Sequence, residues 1–593
     1  MQILRNLAIT LLFVFVLAFL IHTNTAFSQD LGRHIKLGEI IWQTHSVPKT
    51  NLFSYTYPGF LFINHHWFSE VIFYLLYQTF GILSISYLKI TVIFTAAVLI
   101  FLTAIEVGST ESALLSSTIF FPLLMYRTDE RPEIFGLLFF SLYLFLYLKN
   151  RKKEKFPRVL YAIPIIQLFW VNMHVTFIYG IALLGLFAID YFIVKKKLSL
   201  FYILVASILI SLLNPHGLTG FLYPLSIFKN YGYSIQENQN VFFLAALTSN
   251  IFLKIFWIEF FALIFGLLGG SYFIFKKHGF KNSLIFYLLG LIFSVLSIWI
   301  IRNFPFFALS ATISLAYFLN HINIPRISNK INVKFVTYLC CVLLTIFYIF
   351  LIGSNRFYQT FDQPKKFELV ARDDYKQGVD FFLRNNLPGP ILNNFDIGGY
   401  LDFRLYPQTK VFVDNRPEAY PSSFFLEYKE GLADPVKLRA LIKKYNIQTI
   451  IFSHTDGTPW GIEFVKNTTK LKDFHYVYLD RVIIILTKQA GTSPINVTSE
   501  IEKQINNAQD YRDLITISSL ATSLGKDELA SDSLQKAYNQ NPDSCGIRLA
   551  LGGSYLRSQY DIIRQKGIQM LKSTSLCPYP ANVKEEVKNI NDL

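Results

Sequence analysis

Gln29-Asp30-Leu31-Gly32-Arg33-His34 opens, and Asn64-His65-His66-Trp67-Phe68-Ser69-Glu70 closes, a long polar segment between an apolar run at 5–24 and all the other apolar runs of the chain. The run at 5–24 is long enough to cross a ~30 Å hydrocarbon core. With Arg5 before it and Ala26-Phe27-Ser28 after it, the run also has the outline of a signal peptide, but its length favours an uncleaved first span. Everything downstream depends on 67–82, because a full span there would invert every later loop. Glu70, Gln78 and Gly81 make that stretch short and amphipathic, so it is expected to lie on the outer surface and close a first external loop of residues 26–83.

The 593 residues are 52% hydrophobic, with 58 Phe and 34 Tyr, and the mean hydropathy is +0.37. Those values exclude a soluble multidomain protein and predict a polytopic α-helical membrane protein. Further spans are expected at 84–105, 110–126, 132–148, 157–171, 175–194, 198–213, 251–275, 282–300, 304–320 and 335–354, about eleven with the first, so that 1–354 is a membrane bundle. A formal charge of +15 would suit nucleic acid, but the Lys and Arg gather in short tracts between apolar runs. That pattern points to lipid headgroups and topology, with no nucleic acid.

With the amino terminus in the cytoplasm, the inward loops collect Lys149, Arg151, Lys152 and Lys153, then Lys195 to Lys197, then Lys276, Lys277 and Lys281, then Arg326, Lys330 and Lys334. The outward loops after the first carry only Arg127, Arg131, Lys229 and Arg302. The last span therefore exits on the external or periplasmic side. Residues 355–490 read as a small external α/β domain with β-prone runs at 390–392, 410–414, 448–453, 476–479 and 482–487. Residues 499–593 read as a short helical tail, and the spacing of Pro542 and Pro578 resembles that of tetratricopeptide repeats, which would offer a surface to a protein partner. Of the four Cys, Cys340 and Cys341 fall inside a span, leaving Cys545 and Cys577 for a bridge in an oxidising compartment.

The polar residues sort to one face of the bundle: Asp30, His34, His65, His66 and Glu70 in the first loop, Arg127, Asp129, Glu130, Arg131 and Glu133 after the third span, then Asn172, His174 and Arg302. A transporter would place such groups at mid-depth. Asp30 and His34 stand four apart, so one helix face could carry a carboxylate and an imidazole that share a proton, bind a divalent ion, or act as base toward a hydroxyl. The competing reading makes Asp30 a helix N-cap. Arg302, Arg131, His65 and His66 are candidates to hold a phosphate, with Glu70, Arg127, Asp129, Glu130 and His174 in support. Anchoring at the headgroup level competes for the histidines, and mutual pairing competes for the charges of 127–133.

The segments DLGRHIKLGEII (30–41), VPKTNLFSYT (47–56), NHHWFSEV (64–71), RPEIFG (131–136), WVNMHVTF (170–177), NPHG (214–217), NNFDIGGYL (393–401) and VFVDNRPEAY (411–420) resemble a group of bacterial polytopic membrane proteins of the C-type glycosyltransferase (GT-C) superfamily, some with tetratricopeptide tails. The resemblance covers about residues 1–490 and implies a transferase of the bacterial cytoplasmic membrane. Its implied partners are a polyprenyl-phosphate-linked sugar donor, the bilayer, and an envelope glycan, lipid or protein acceptor. Asp30 matches the superfamily's loop acid. The paired acids of many relatives are absent, which argues against a metal ion as cofactor. A non-enzymatic envelope-assembly protein is the alternative expectation.

Overall fold

The structure, a computed structural model, describes residues 1–226, 231–233, 235–247, 250–277, 280–322, 332–360, 365–557, 560–574 and 577. Lys229, Arg326, Lys330 and Pro578, together with the side chains of Lys276 and Lys277 and residues 578–593 of the tail, lie outside them.

The first part is a bundle of α1 (Gln2–Leu20), α2 (Leu31–Thr44), α3 (Trp67–Phe80), α4 (Leu83–Val107), α5 (Thr110–Leu124), α6 (Glu133–Asn150), α7 (Ile163–Met173), α8 (Phe177–Lys195), α9 (Ser199–Ile210), α10 (Gly217–Leu222), α11 (Val241–Leu247), α12 (Ile251–Lys277), α13 (Leu284–Trp299), α14 (Phe304–His321) and α15 (Val333–Gly353). A helix stands at each predicted apolar run. Among the described residues, six helices are long and apolar enough to cross a membrane, whereas Thr110–Leu124, Arg158–Met173, Ser199–Ile210 and Leu284–Trp299 are shorter. The chain is a multipass membrane protein. Its axis is α14, buried at every position from Phe304 to Phe318. Small residues there, among them Ala308, Ser310, Ala311 and Ser314, admit α5, α12 and α13 at close range.

The first loop is ordered by glycines. A Cβ at Gly38 would collide with the Glu70 carbonyl, so α2 and α3 meet backbone to backbone only because Gly38 has none. Six residues earlier, Gly32 lets α2 rest on Phe403 of a helix in the α/β domain. The two contacts fix α2 between the bundle and that domain.

Beyond α16 (Arg356–Thr360) come α17 (Lys376–Arg384), β1 (Ile391–Leu392), α18 (Phe395–Leu405), α19 (Ser422–Ala433), α20 (Pro435–Lys444), β2 (Thr449–Ser453), α21 (Pro459–Thr468), β3 (His475–Leu479) and β4 (Ile483–Thr487). The sheet order is β1-β2-β4-β3, with β1 parallel to β2 and the other pairings antiparallel. The α20 start has its expected cause: Asp434 accepts from the Val436 and Lys437 amides, and Pro435 occupies the first turn.

The expected strand at 410–414 is not in this sheet. Val411 donates to the Phe53 carbonyl (3.0 Å) and accepts from the Tyr55 amide (3.1 Å), so the first loop has captured its hydrogen-bonding edge. One hydrophobic core accordingly runs from Leu12 and Phe15 of α1 through Phe27 and Ile35 to Tyr400, Ile451 and Ile483.

The tail consists of α22 (Val497–Asn507), α23 (Tyr511–Ser523), α24 (Asp527–Gln540), α25 (Cys545–Leu556) and α26 (Asp561–Lys572), each packed on its neighbour from α23 onward. Cys545 and Cys577 are bridged.

Candidate active site

The helix α6 has a basic end and a site end. At the basic end Arg151 holds Asp190 with both Nε (2.6 Å) and Nη2 (2.8 Å), and it also donates to the Asn282 carbonyl. At the other end, where α6 begins at Glu133, the loop 127–133 meets the opening of the first loop.

The charges of 127–133 do not merely pair with one another. Arg127 does take Glu133 (2.6 Å), but Arg131 reaches Asp30 (3.3 Å) and the Gln29 side chain (2.9 Å). Asp129 holds Lys365 (2.7 Å), and Glu130 holds Lys89 of α4 (3.0 Å) with both side chains fully buried. His22 adds a hydrogen bond between Nε2 and the Thr128 hydroxyl (2.9 Å). The loop is thereby fastened to the bundle on both flanks.

Glu237 was not singled out by sequence reasoning, yet it organises the site. Arg127 Nη1 (2.8 Å), Arg131 Nη1 (3.2 Å) and Arg302 Nη2 (2.5 Å) all rest on its carboxylate. Burial by itself would raise the Glu237 carboxyl, but Arg127, Arg131 and Arg302 outweigh it and hold it well below the usual range. Its signal in the sequence was faint: it is the single acid in the outward stretch 214–250. Lys89, the lone cation of its apolar run, was also passed over and had the clearer signal.

The expected Asp30–His34 partnership does not form, although the two keep their i, i+4 relation. Asp30 precedes α2 without any side-chain capping bond, which corrects the N-cap reading and leaves its carboxylate to Arg131. His34 turns instead to Glu70, Nδ1 to Oε1 at 2.8 Å, because Gly38 has drawn α3 against α2. The physical reason is opposite charge on one side and a buried hydrogen-bond partner on the other. Burial lifts Glu70 to about 7, although Asn64 Nδ2 donates to it (2.6 Å), and burial pushes His34 well below its ordinary value.

The closing histidines join a cluster of rings. His66 lies 5.1 Å from His174 and 5.4 Å from His34, while His65 packs on Tyr223 at 4.8 Å. Burial pushes His65 to about 4 and drives His66 and His174 well below the usual imidazole range. Among the described residues no cluster of His, Cys, Asp and Glu has the makings of a metal site.

Next to the arginines opens a cavity of about 480 Å³. Arg127, Arg302, Glu133, His174 and Asn303 line its polar part, and Leu137, Ile178, Leu296, Ile300 and Phe306 line an apolar part. A volume in the ~300–1,000 Å³ range of small-molecule sites, lined by two arginines together with many apolar side chains, suits an amphiphile with an anionic head. Asp30, His34, His65 and His66 do not line it. Asp30 is joined to it through Arg131 and Glu237, and His66 through His174.

No protein-family model and no curated protein matches the sequence. Solved structures do match in shape. The archaeal oligosaccharyltransferase AglB from Archaeoglobus fulgidus, in complex with an inhibitory peptide and a dolichol-phosphate, superposes with a TM-score of 0.53 at 11% identity, over 90% of this chain and 86% of that one. The Archaeoglobus fulgidus oligosaccharyltransferase in complex with Zn and sulfate gives 0.50 at 11% identity, over 96% and 86%. ArnT from Cupriavidus metallidurans, bound to undecaprenyl phosphate, gives 0.45 at 11% identity, over 84% and 99%. The chain thus shares the fold of the archaeal oligosaccharyltransferase structures.

Proposed function

We propose that this protein is a membrane glycosyltransferase that moves a sugar from a polyprenyl-phosphate-linked donor to an envelope acceptor at the outer face of a bacterial cytoplasmic membrane. The observation that carries the reading is the cavity: Arg127 and Arg302 stand among aliphatic and aromatic lining residues, and Asp30 is linked to them through Arg131 and Glu237. In the reaction the acceptor hydroxyl attacks the anomeric carbon as the bond from that carbon to the phosphate oxygen breaks. Asp30 receives the hydroxyl proton, inverting the centre in one displacement. Arg302 and Arg131, supported by Arg127 and His174, hold the departing polyprenyl phosphate through bidentate guanidinium geometry. The Glu70–His34 pair and the His65–His66 rings position the loop that carries Asp30.

The external placement of residues 355–593 is supported by the basic tracts and by the Cys545–Cys577 bridge, which suits an oxidising compartment. In this reading the α/β domain selects the acceptor and the helical tail offers a protein-binding face. Convergence of arginines from two separate segments, Arg127 of the loop 127–133 and Arg302, on one cavity favours this reading over a scaffold for envelope assembly.

The test compares polyprenyl-linked sugars and envelope glycans by mass spectrometry in a deletion strain, complemented with wild type or with Asp30→Asn. Accumulated donor that only wild type clears supports the reading. Wild-type clearance by Asp30→Asn, at equal protein level in the membrane, would remove Asp30 from the chemistry.

A further inference from the structure

Arg127 and Arg131 of one outward loop and Arg302, far away in the chain, share a single carboxylate, Glu237. Two of the three have another acid: Glu133 for Arg127 and Asp30 for Arg131. Glu237 therefore supplies the third negative charge of the cage. Were it withdrawn, one positive charge would stand uncompensated beside the cavity that Arg127 and Arg302 line.

The cage also has unused donors. Arg127 Nη2 and Arg302 Nε are buried with no protein hydrogen-bond partner, and Arg302 itself lines the cavity. Buried guanidinium N–H groups without acceptors are expensive, and carboxylate and phosphate satisfy the same planar fork. Glu237 adjoins the cavity through its own turn. It sits on the turn Gln236–Asn238, whose neighbours Ile235, Asn238 and Gln239 line the cavity. The Ile301 amide donates to the Gln239 carbonyl (3.1 Å), tying that turn to the one that bears Arg302. The carboxylate can then leave by rotation of its side chain while the turn stays in place.

We infer that Glu237 occupies the donor-phosphate position of the unloaded protein and yields it to a ligand carrying one negative charge. The inference rests on the donor site proposed above and narrows its substrate class. A phosphodiester, the linkage of a sugar on a single polyprenyl phosphate, restores the charge balance that Glu237 maintains. A diphosphate brings a second charge for which the cage holds no further cation among the described residues.

The experiment titrates the full-length protein in detergent with two probes, a synthetic isoprenyl methyl phosphate diester and isoprenyl diphosphate, following intrinsic fluorescence. Glu237→Gln is expected to bind the diester roughly tenfold tighter than wild type, because the competing anion is gone. Glu237→Asp, which keeps the charge, is expected to stay near wild type and to show that the turn still folds. Unchanged or weaker diester binding by Glu237→Gln, with Glu237→Asp behaving normally, overturns the inference and makes Glu237 a structural member of the cage. Tighter binding of the diphosphate than of the diester by wild type overturns the assigned substrate class. Failure of wild type to bind either probe, indistinguishably from Arg302→Ala, overturns the donor site itself.

Discussion

Arg416 and Arg302 are both arginines seated on carboxylates, and they stand at opposite extremes. Arg416, 1% exposed, forks onto Asp414 through Nε (2.8 Å) and Nη2 (2.6 Å), donates from Nη2 to Asn51 (2.9 Å), and is faced by the rings of Phe53 and Phe62 at 5.0 and 4.7 Å. It staples the first loop to the α/β domain. Arg302, 34% exposed, shares one carboxylate with two other arginines, has an unpartnered Nε and borders the cavity. A closed ion pair locks two parts of a fold together. An oversupply of guanidinium beside empty volume is what a binding site looks like before its ligand arrives.

The sharpest way to break that contrast is at the chemistry itself. Asp30→Asn is expected to lower transfer by at least ~10²-fold while leaving thermal stability unchanged, measured as turnover and melting temperature on one preparation. A stability loss with normal turnover would move Asp30 to the structural side.

Arg416→Met should do the reverse. It leaves Asp414 buried without its cation, with an expected loss of ~3–5 kcal/mol read by thermal unfolding. A stable variant with reduced transfer would instead make this pair part of the site. Arg302→Ala is expected to weaken diester binding by about tenfold, with at most ~1 kcal/mol of stability lost because the pair is partly exposed.

The smallest effect concerns pH. The imidazoles of His34 and His66 are depressed by burial, so their contribution to stability is present above the ordinary value of ~6.5 and is lost as the pH falls. Glu70, raised to about 7, works in the other direction: its contribution is complete below its ordinary carboxylate range and is lost as the pH rises through about 7. Melting curves from pH 5 to 8 should show His66→Asn flattening the acid limb and Glu70→Gln flattening the limb near neutrality, each by ~1 kcal/mol. If neither substitution alters its limb, these groups do not set the pH response.

Legibility differed between particular residues. The apolar runs, the helix at 67–80 and the helix–strand alternation of 391–487 could be read directly, because each is a local periodicity of 3.6 or 2 residues. The strand at 410–414 was misassigned, since its β-prone residues could not reveal that Phe53 and Tyr55 would take its hydrogen bonds. Arg127, Arg131 and Arg302 drew notice as scarce outward cations. Glu237 did not, because an acid in a polar loop is ordinary until three arginines surround it.

The sequence by itself determined that this is a multipass helical membrane protein with its scarce charges gathered toward one face, because burial in lipid punishes every misplaced polar group within its own segment. Only the tertiary structure decided who partners whom. His34 goes to Glu70 and not to Asp30, Asp30 goes to Arg131, and three distant arginines go to Glu237. Those choices rest on charge and distance across the fold, and on Gly38, where a missing Cβ lets α2 and α3 close.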